Sequence, residues 1–195
     1  MTTATSTLNI THLTGQLWTG GDLPDGLTPA AATVEAWQRA GIRHIVDNRV
    51  EWSDEDLVNE VAPEIRYLHN GVDDAGQIMP DSWFQTVTDF AHESFQLGGG
   101  VLVHCHMGIN RGPSAAYAVL LTQGWDPVDA IDLIRTARPI AAVGYAEDAL
   151  RWWHRTNNTP TTQRRTDSAR LAHWRRQNPH DTIRIIKAIR AAEDR

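Results

Sequence analysis

The chain has 195 residues, a length that fits one globular domain with a modest extension and allows a buried core. Hydrophobic residues make up 41% and charged residues 22%, and no apolar run approaches the roughly 20 residues of a membrane span, so we expect no membrane partner. The formal net charge is −6, and nine basic against four acidic residues follow Arg155, so the acidic excess belongs to residues 1–155. An acidic body is not typical of a nucleic-acid platform, and we expect no nucleic-acid partner.

The start of the chain and its cysteine content indicate a compartment. Residues Met1–Thr7 carry no basic flank and no long apolar stretch, which argues against a secretory signal peptide. The chain has one cysteine, Cys105, so it cannot form an intrachain disulfide. Such cysteine usage is typical of a reducing compartment, and we expect a cytoplasmic location.

Residues 8–98 alternate between stretches with strand-like and helix-like patterns. Thr28 and Pro29 form a typical helix start, and the turn-rich stretch Asn70–Gly76 predicts a loop. In chain order, the predicted elements are one or two strands within Leu8–Thr19, a helix from Thr28 to Gly41, a strand over Ile42–Val46, a helix over Ser53–Val61, a strand over Ile65–His69 and a helix from Asp81 to Gly98.

After residue 98, one further strand is followed by helices. The predicted elements are a strand over Val101–His104 and helices over Ala115–Leu121, from Asp126, over Tyr145–His154 and from Asn178. The polar stretch Thr156–Thr166 predicts a linker, which divides the chain into a domain over residues 1–155 and a polar linker with a basic helical extension over residues 156–195. Early strands that alternate with helices, followed by a helical second half, predict an α/β sandwich.

The segment Val101–Ser114, with the sequence VLVHCHMGINRGPS, carries the clearest chemical pattern in the chain. Cys105 and Arg111 are separated by five residues, an apolar strand leads into the cysteine, and a helix begins near the arginine. This arrangement predicts a tight loop with Gly108 in its middle, whose amides from His106 to Arg111 converge at a helix N-terminus. Such a nest binds anions such as a phosphoryl group, and it favours thiolate over thiol. Arg111 would add a planar, bidentate and permanently charged donor.

Two other interpretations of this segment stay open on the residues alone. A single cysteine is more often a small buried hydrophobic residue than a nucleophile. The His104-Cys105-His106 run suggests a metal site, but no second ligand pair with suitable spacing accompanies it, so we predict no metal and no cofactor. Because His104 ends the predicted strand, we expect its side chain to hydrogen-bond the loop.

The run of His104, Cys105, five residues and Arg111 resembles the His-Cys-x5-Arg signature of protein-tyrosine and dual-specificity phosphatases. The resemblance extends over Asn9–Arg155, includes the Gly41–Asp47 strand, and points to the small, atypical dual-specificity type. It implies a central mixed, mostly parallel sheet flanked by helices, here with a helical C-terminal extension. It also implies phosphate binding by His106, Met107, Gly108, Ile109, Asn110 and Arg111, with His104 and Ser114 in support.

The resemblance further implies a two-step hydrolysis. The Cys105 thiolate attacks phosphorus to form a phosphocysteine, which water then hydrolyses. An aspartate on an upstream loop protonates the leaving oxygen and later activates the water. Asp73 and Asp74 lie 32 and 31 residues before Cys105, about where small members of the family have this aspartate. We choose Asp74 because it stands ten residues before Phe84, where the family's helix has an aromatic residue; simple turn chemistry is the alternative for both aspartates.

The sequence departs from the family pattern directly after Arg111. The family has Ser or Thr there, whose hydroxyl helps the thiolate to leave in the second step, whereas this chain has Gly112, followed by Pro113 and Ser114. The departure suggests slow hydrolysis of the phosphocysteine, with Ser114 as the substitute donor. The alternative is that the backbone requires Gly112, for example through a positive φ.

We therefore expect a phosphomonoester hydrolase that acts on phosphorylated proteins, in the manner of a tyrosine or dual-specificity phosphatase, or on a small phosphomonoester. Three alternatives stay open. They are an RNA 5′-phosphatase, which the loop over residues 108–111 resembles, a phosphate-binding module without turnover, and a rhodanese-like sulfurtransferase. The acidic composition argues against RNA. The sequence makes no prediction of the oligomeric state.

Overall fold

One five-stranded sheet forms the centre of the fold, in a computed structural model that describes residues 8–193 and the side chains of residues 8–191. The strands are β1 (Ile10–Thr14), β2 (Leu17–Gly20), β3 (Ile42–Arg49), β4 (Arg66–Val72) and β5 (Gly100–His104). Their order across the sheet is β1-β2-β5-β3-β4, with β1 antiparallel to β2 and the other three pairings parallel. The predicted mixed, mostly parallel sheet is confirmed.

Eight helices lie in the described part of the chain. They are α1 (Leu27–Arg39), α2 (Glu55–Val61), α3 (Asp81–Leu97), α4 (Arg111–Thr122), α5 (Pro127–Ala137), α6 (Ala146–Thr156), α7 (Thr161–Gln177) and α8 (Thr182–Glu193). Among the described residues, no helix combines the length and the apolar character needed to cross a membrane. The predicted lack of a signal peptide concerns residues 1–7, which lie outside the described residues.

The two faces of the sheet carry different helices. Because successive side chains of a strand point to opposite faces, Leu102 and Val103 of β5 belong to different apolar clusters. Leu102 packs in the cluster of α1 and α2, which includes Val34 and Trp37, whereas Val103 packs in the cluster of α3 to α6. Burial of one such side chain stabilises the fold by roughly 1.5–3 kcal/mol.

α4 is the central helix of the second face, and all its residues from Arg111 to Leu121 are buried. It begins four residues before the predicted start at Ala115. Pro113 does not prevent this early start, because the first turn of a helix needs no intrahelical acceptor for its N–H groups. The helix therefore starts directly behind the loop that follows β5.

β3 runs three residues further than predicted, to Arg49, and this extension is polar yet buried. Arg49 Nε donates to Asp47 Oδ1 at 2.8 Å, and Arg49 Nη2 donates to Asp47 Oδ2 at 2.7 Å. The Tyr67 hydroxyl donates to the same carboxylate at 2.6 Å. The predicted strand ended at Val46 because hydropathy identifies strands by their apolar residues. The paired charged residues that follow Val46 were therefore not included.

The predicted linker over Thr156–Thr166 is wrong for most of its length. Residues 157–160 form the whole connection between α6 and α7, and the remainder belongs to these two helices. α7 was not predicted because its sequence is mostly polar. Its contribution to the apolar core consists of Leu171 and Trp174. These residues are three apart and so share one face of the helix. α8 also differs, since it begins four residues after the predicted start at Asn178.

Polar contacts fasten α7 to the same body. Trp174 Nε1 donates to Asp132 Oδ1 of α5 at 3.1 Å, and Asp167 Oδ2 lies 3.5 Å from His154 Nε2 of α6. Asp167 and His154 are both buried, and burial lowers the pKa of His154. α7 is therefore packed against residues 1–155. That residues 1–155 fold as a domain without the C-terminal extension stays a prediction.

We expect Leu171→Ala to lower the free energy of unfolding by about 2–5 kcal/mol, because it leaves a cavity where α7 meets the core. Arg176→Ala changes an exposed side chain of the same helix and should alter stability by less than about 0.5 kcal/mol. Urea unfolding followed by tryptophan fluorescence measures both variants. Equal stability of the two would show that α7 does not stabilise the folded body.

Candidate active site

The predicted loop lies between the end of β5 and the start of α4, at the carboxyl edge of the parallel strands. Cys105 is the first residue after β5 and is buried. Gly108, in the middle of the loop, has a φ of 64°, in the left-handed region that favours glycine. A Cβ at this position would lie 2.6 Å from the carbonyl carbon of Gly20, so both the backbone conformation and the close packing require glycine.

Four consecutive carbonyl groups of the loop are bound from outside it. Arg138, directly after α5, is buried and donates from Nε to Gly108 O at 2.7 Å and from Nη2 to Met107 O at 3.1 Å. The other two bonds run from Asp22 N–H to His106 O and from Ala142 N–H to Ile109 O, each at 2.7 Å. The carbonyl oxygens are therefore turned away from the centre of the loop.

The amides of residues 107–110 face the centre of the loop. Within the described part of the chain, none of the six N–H groups from His106 to Arg111 donates to another protein group. In a trans peptide unit the C=O and N–H point in opposite directions, so each carbonyl fixed outside the loop directs the next amide inwards. At the N-terminus of α4 these donors form an anion site.

Arg111, the first residue of α4, forms a bidentate ion pair with Glu51. Its Nη1 lies 2.8 Å from Glu51 Oε2 and its Nη2 lies 2.8 Å from Oε1, and Nη1 also donates to Val72 O at 2.9 Å. The hydrogen bonds from the guanidinium lower the pKa of Glu51 to about 2, so the pair stays charged at neutral pH. Nε of Arg111 is buried and has no hydrogen-bond partner among the described residues, so the pair with Glu51 leaves the donor on Nε unused.

Asp74 is held beside this arginine by two neutral donors. Its Oδ1 accepts hydrogen bonds from Asn110 Nδ2 at 2.6 Å and from the Tyr145 hydroxyl at 2.9 Å, and its Oδ2 lies 3.7 Å from Arg111 Nε. Partial burial and the bond to this carboxylate raise the pKa of Tyr145 to about 12, so the hydroxyl stays a donor. Asp73 is exposed and does not line the cavity that contains Asp74.

The predicted catalytic residues meet in one cavity of about 190 Å³. Its lining residues are Glu51, Asp74, Cys105, His106, Met107, Ile109, Asn110, Arg111, Ile186 and Arg190. Sequence analysis missed Glu51 and the two residues of α8, because nothing in their local pattern connects them to Cys105. No group of three His, Cys, Asp or Glu residues in the described part of the chain could hold a metal ion.

Comparison with known proteins decides the family. Residues 28–147, more than half of the chain, match the family model of the dual specificity phosphatase catalytic domain. The chain belongs to the dual specificity phosphatase family. This confirms the resemblance seen at His104, Cys105 and Arg111, and neither the RNA phosphatase nor the sulfurtransferase alternative is needed.

Relatives of this dual specificity phosphatase share part of the sequence and the fold. Rat dual specificity protein phosphatase 15 is 33% identical over 81 residues, which cover 40% of this chain and 34% of the relative, so the chain spans about a third of that protein's length. Human DUSP28 is 20% identical with a TM-score of 0.62, covering 76% of this chain and 95% of that one. A mouse dual specificity phosphatase complexed with zinc tungstate is 21% identical with a TM-score of 0.63, covering 77% and 89%. The two solved structures confirm the fold.

The side chain of His104 in this dual specificity phosphatase does not hydrogen-bond the loop, contrary to the expectation from sequence. Among the described residues both ring nitrogens are buried without a hydrogen-bond partner, with Nε2 3.9 Å from Asp47 Oδ1 and the ring edge-on to Trp37. The ring lies on the face of the sheet covered by α1, opposite to α4. Burial lowers the pKa of His104, which favours the neutral ring.

Close packing explains the glycine after the signature arginine. A Cβ at Gly112 would lie 3.0 Å from the Cα and the carbonyl carbon of His104, and Gly112 does not have a positive φ. The glycine thus lets the first turn of α4 approach the end of β5. Ser114 Oγ accepts from Tyr145 N–H at 3.1 Å and lies 3.4 Å from Asn110 Oδ1, so this hydroxyl is engaged on the α6 side of the site.

We expect Arg138→Met to weaken the binding of tungstate at least tenfold, because two buried loop carbonyls lose their donor, at about 1–3 kcal/mol for each unsatisfied group. Calorimetric titration measures the affinity. Arg135→Met is the matched control, because it also removes one arginine. The guanidinium of Arg135, on α5, lies over the Trp174 ring and not on the loop. Unchanged tungstate affinity in Arg138→Met would show that Arg138 does not orient the loop.

Proposed function

We propose that this chain hydrolyses phosphomonoesters through a phosphocysteine on Cys105, as a protein-tyrosine or dual-specificity phosphatase. The observation that carries the proposal is the single cavity in which Cys105, the inward-facing loop amides, Arg111 and Asp74 meet. A mouse structural relative was solved in complex with zinc tungstate, and we choose tungstate as the oxyanion probe for the loop of this chain.

In the first step, the Cys105 thiolate attacks phosphorus, the S–P bond forms, and the P–O bond to the leaving group breaks. The loop amides and the guanidinium of Arg111 bind the three non-bridging oxygens and stabilise their charge in the transition state. Asp74 gives a proton to the leaving oxygen. Because Asn110 and Tyr145 hold Oδ1, Oδ2 is the oxygen that carries this proton.

In the second step, water attacks the phosphocysteine, the S–P bond breaks, and Cys105 leaves as a thiolate. Asp74, now ionised, takes the proton from the attacking water. Inorganic phosphate then leaves the cavity. Since Gly112 supplies no hydroxyl, the amides around Cys105 and the N-terminus of α4 stabilise the departing thiolate.

Glu51 acts through Arg111 and does not touch the phosphoryl group. Its bidentate pair fixes the plane of the guanidinium before substrate binds, so less side-chain entropy is lost on binding. Glu51 is thus a positioning residue.

The substrates that we propose are phosphorylated proteins or small phosphomonoesters, and the location is cytoplasmic. Cys105 is a free cysteine that lies in the active-site cavity. A reducing compartment preserves its function, because oxidation of the thiolate would remove the nucleophile.

Cys105→Ser is expected to abolish hydrolysis of para-nitrophenyl phosphate while tungstate still binds, because the amides of the loop remain. Arg111→Lys is expected to lower kcat/KM by at least about 10²-fold, since an ammonium group cannot span two phosphoryl oxygens. Release of nitrophenol and calorimetric titration measure the two quantities. Arg135→Lys should remain close to wild type, and substantial turnover by Cys105→Ser would contradict the mechanism.

Asp74→Asn is expected to lower kcat by about 10²–10⁴-fold on an alkyl phosphate, whose leaving oxygen needs a proton. The loss should be smaller on para-nitrophenyl phosphate, because nitrophenolate leaves without help. Asp73→Asn is the adjacent control and should stay near the wild-type rate. The opposite pattern, with a collapse in Asp73→Asn alone, would assign the acid to Asp73.

A further inference from the structure

The C-terminal helix α8 lies over the cavity that contains Cys105. Ile186 and Arg190 line this cavity, although they follow the cysteine by more than 80 residues. Ile189 lines the adjoining groove of about 600 Å³ together with His106 and Met107. α8 therefore forms an outer wall of the active site.

Apolar side chains dock α8 in this position. Ile185, Ile186 and Ile189 are half-buried, whereas Ile183 is 68% exposed. Among the described side chains, those of α8 make no hydrogen bond or ion pair with residues before residue 180. A segment held by a few apolar contacts opens at a much lower free-energy cost than global unfolding. Undocking of α8 is thus available to the folded protein.

Charge favours the docked position of α8. The described side chains of the helix include three basic ones, from Arg184, Lys187 and Arg190. The groove beneath Ile189 is lined by two acidic residues, Asp25 and Asp22, of which Asp22 is already paired with Arg49. Opposite charges on the two surfaces attract the helix to the body without a direct ion pair.

We propose that docked α8 restricts the active site to small phosphomonoesters, with Ile186 and Ile189 as the specificity-determining residues; this rests on the proposed function. Pockets for drug-sized ligands measure about 300–1,000 Å³. The cavity of about 190 Å³ is smaller and holds a phosphoryl group with a small substituent. A phosphorylated protein side chain brings a peptide backbone, which requires the space that Ile186 and Ile189 occupy. Such substrates bind after α8 undocks, and their apparent affinity falls with the open fraction.

The test uses the full chain with Ile186→Asp and Ile189→Asp combined, because two charges on the docked face favour the undocked helix. Ile183→Asp is the matched control, since the same change falls on the exposed side of the same helix. The probes are para-nitrophenyl phosphate and a phosphotyrosine peptide. We expect the ratio of kcat/KM for the peptide to kcat/KM for the small ester to rise at least about tenfold, as for a helix docked about nine-tenths of the time. The control should behave as wild type with both probes.

Hydrogen exchange of the α8 amides reports undocking independently of activity. An isolated helix of this length is marginal in water, so these amides should exchange faster in the double variant than in the wild type. Equal exchange in both overturns the proposal, and so does an unchanged or lower ratio of kcat/KM for the peptide to kcat/KM for the small ester. If wild type and variants hydrolyse neither probe, the proposed function fails; activity on both probes without a difference overturns the specificity proposal alone.

Discussion

The direction of the peptide groups in the loop after β5 is the constraint on which the site depends. The carbonyls of residues 106–109 are bound outside the loop, so the amides of residues 107–110 face its centre. A carbonyl turned inwards would present a partial negative charge to a dianionic phosphoryl group. Because the protein fixes these dipoles during folding, they need no reorganisation when charge develops in the transition state.

Three separate parts of the chain supply the donors that fix the loop. Asp22 follows β2, Arg138 follows α5, and Ala142 lies between α5 and α6. Two of these are themselves held, because Arg49 pairs with the carboxylate of Asp22 and the side chain of Asn9 accepts from Arg138 Nη2 at 2.9 Å. The geometry of the anion site therefore depends on the positions of the sheet edge and of α5 relative to the loop.

Local pattern predicted what is local in the structure. The strand, the glycine-containing loop and the helix start around Cys105 are adjacent in the sequence, so hydropathy and spacing were sufficient to find them. Glu51 lies 60 residues before Arg111, and no single-sequence pattern encodes such a contact. α7 escaped for a different reason, since Leu171 and Trp174 supply enough apolar contact for a helix whose other residues are mostly polar. Asp74 could be predicted from the sequence because the spacing known for the family relates it to Phe84.

Gly112 shows how packing and chemistry share one position. The absence of a side chain lets the first turn of α4 lie against the backbone of His104 and Cys105, where a Cβ would be 3.0–3.1 Å away. This close approach places the positive end of α4 against the backbone at Cys105. In the second step of the proposed mechanism, the departing thiolate gains a full negative charge. A helix N-terminus stabilises such a charge through N–H dipoles, as a hydroxyl does through its O–H. Packing of α4 against β5 therefore accounts for the glycine, and the glycine does not by itself indicate an impaired enzyme.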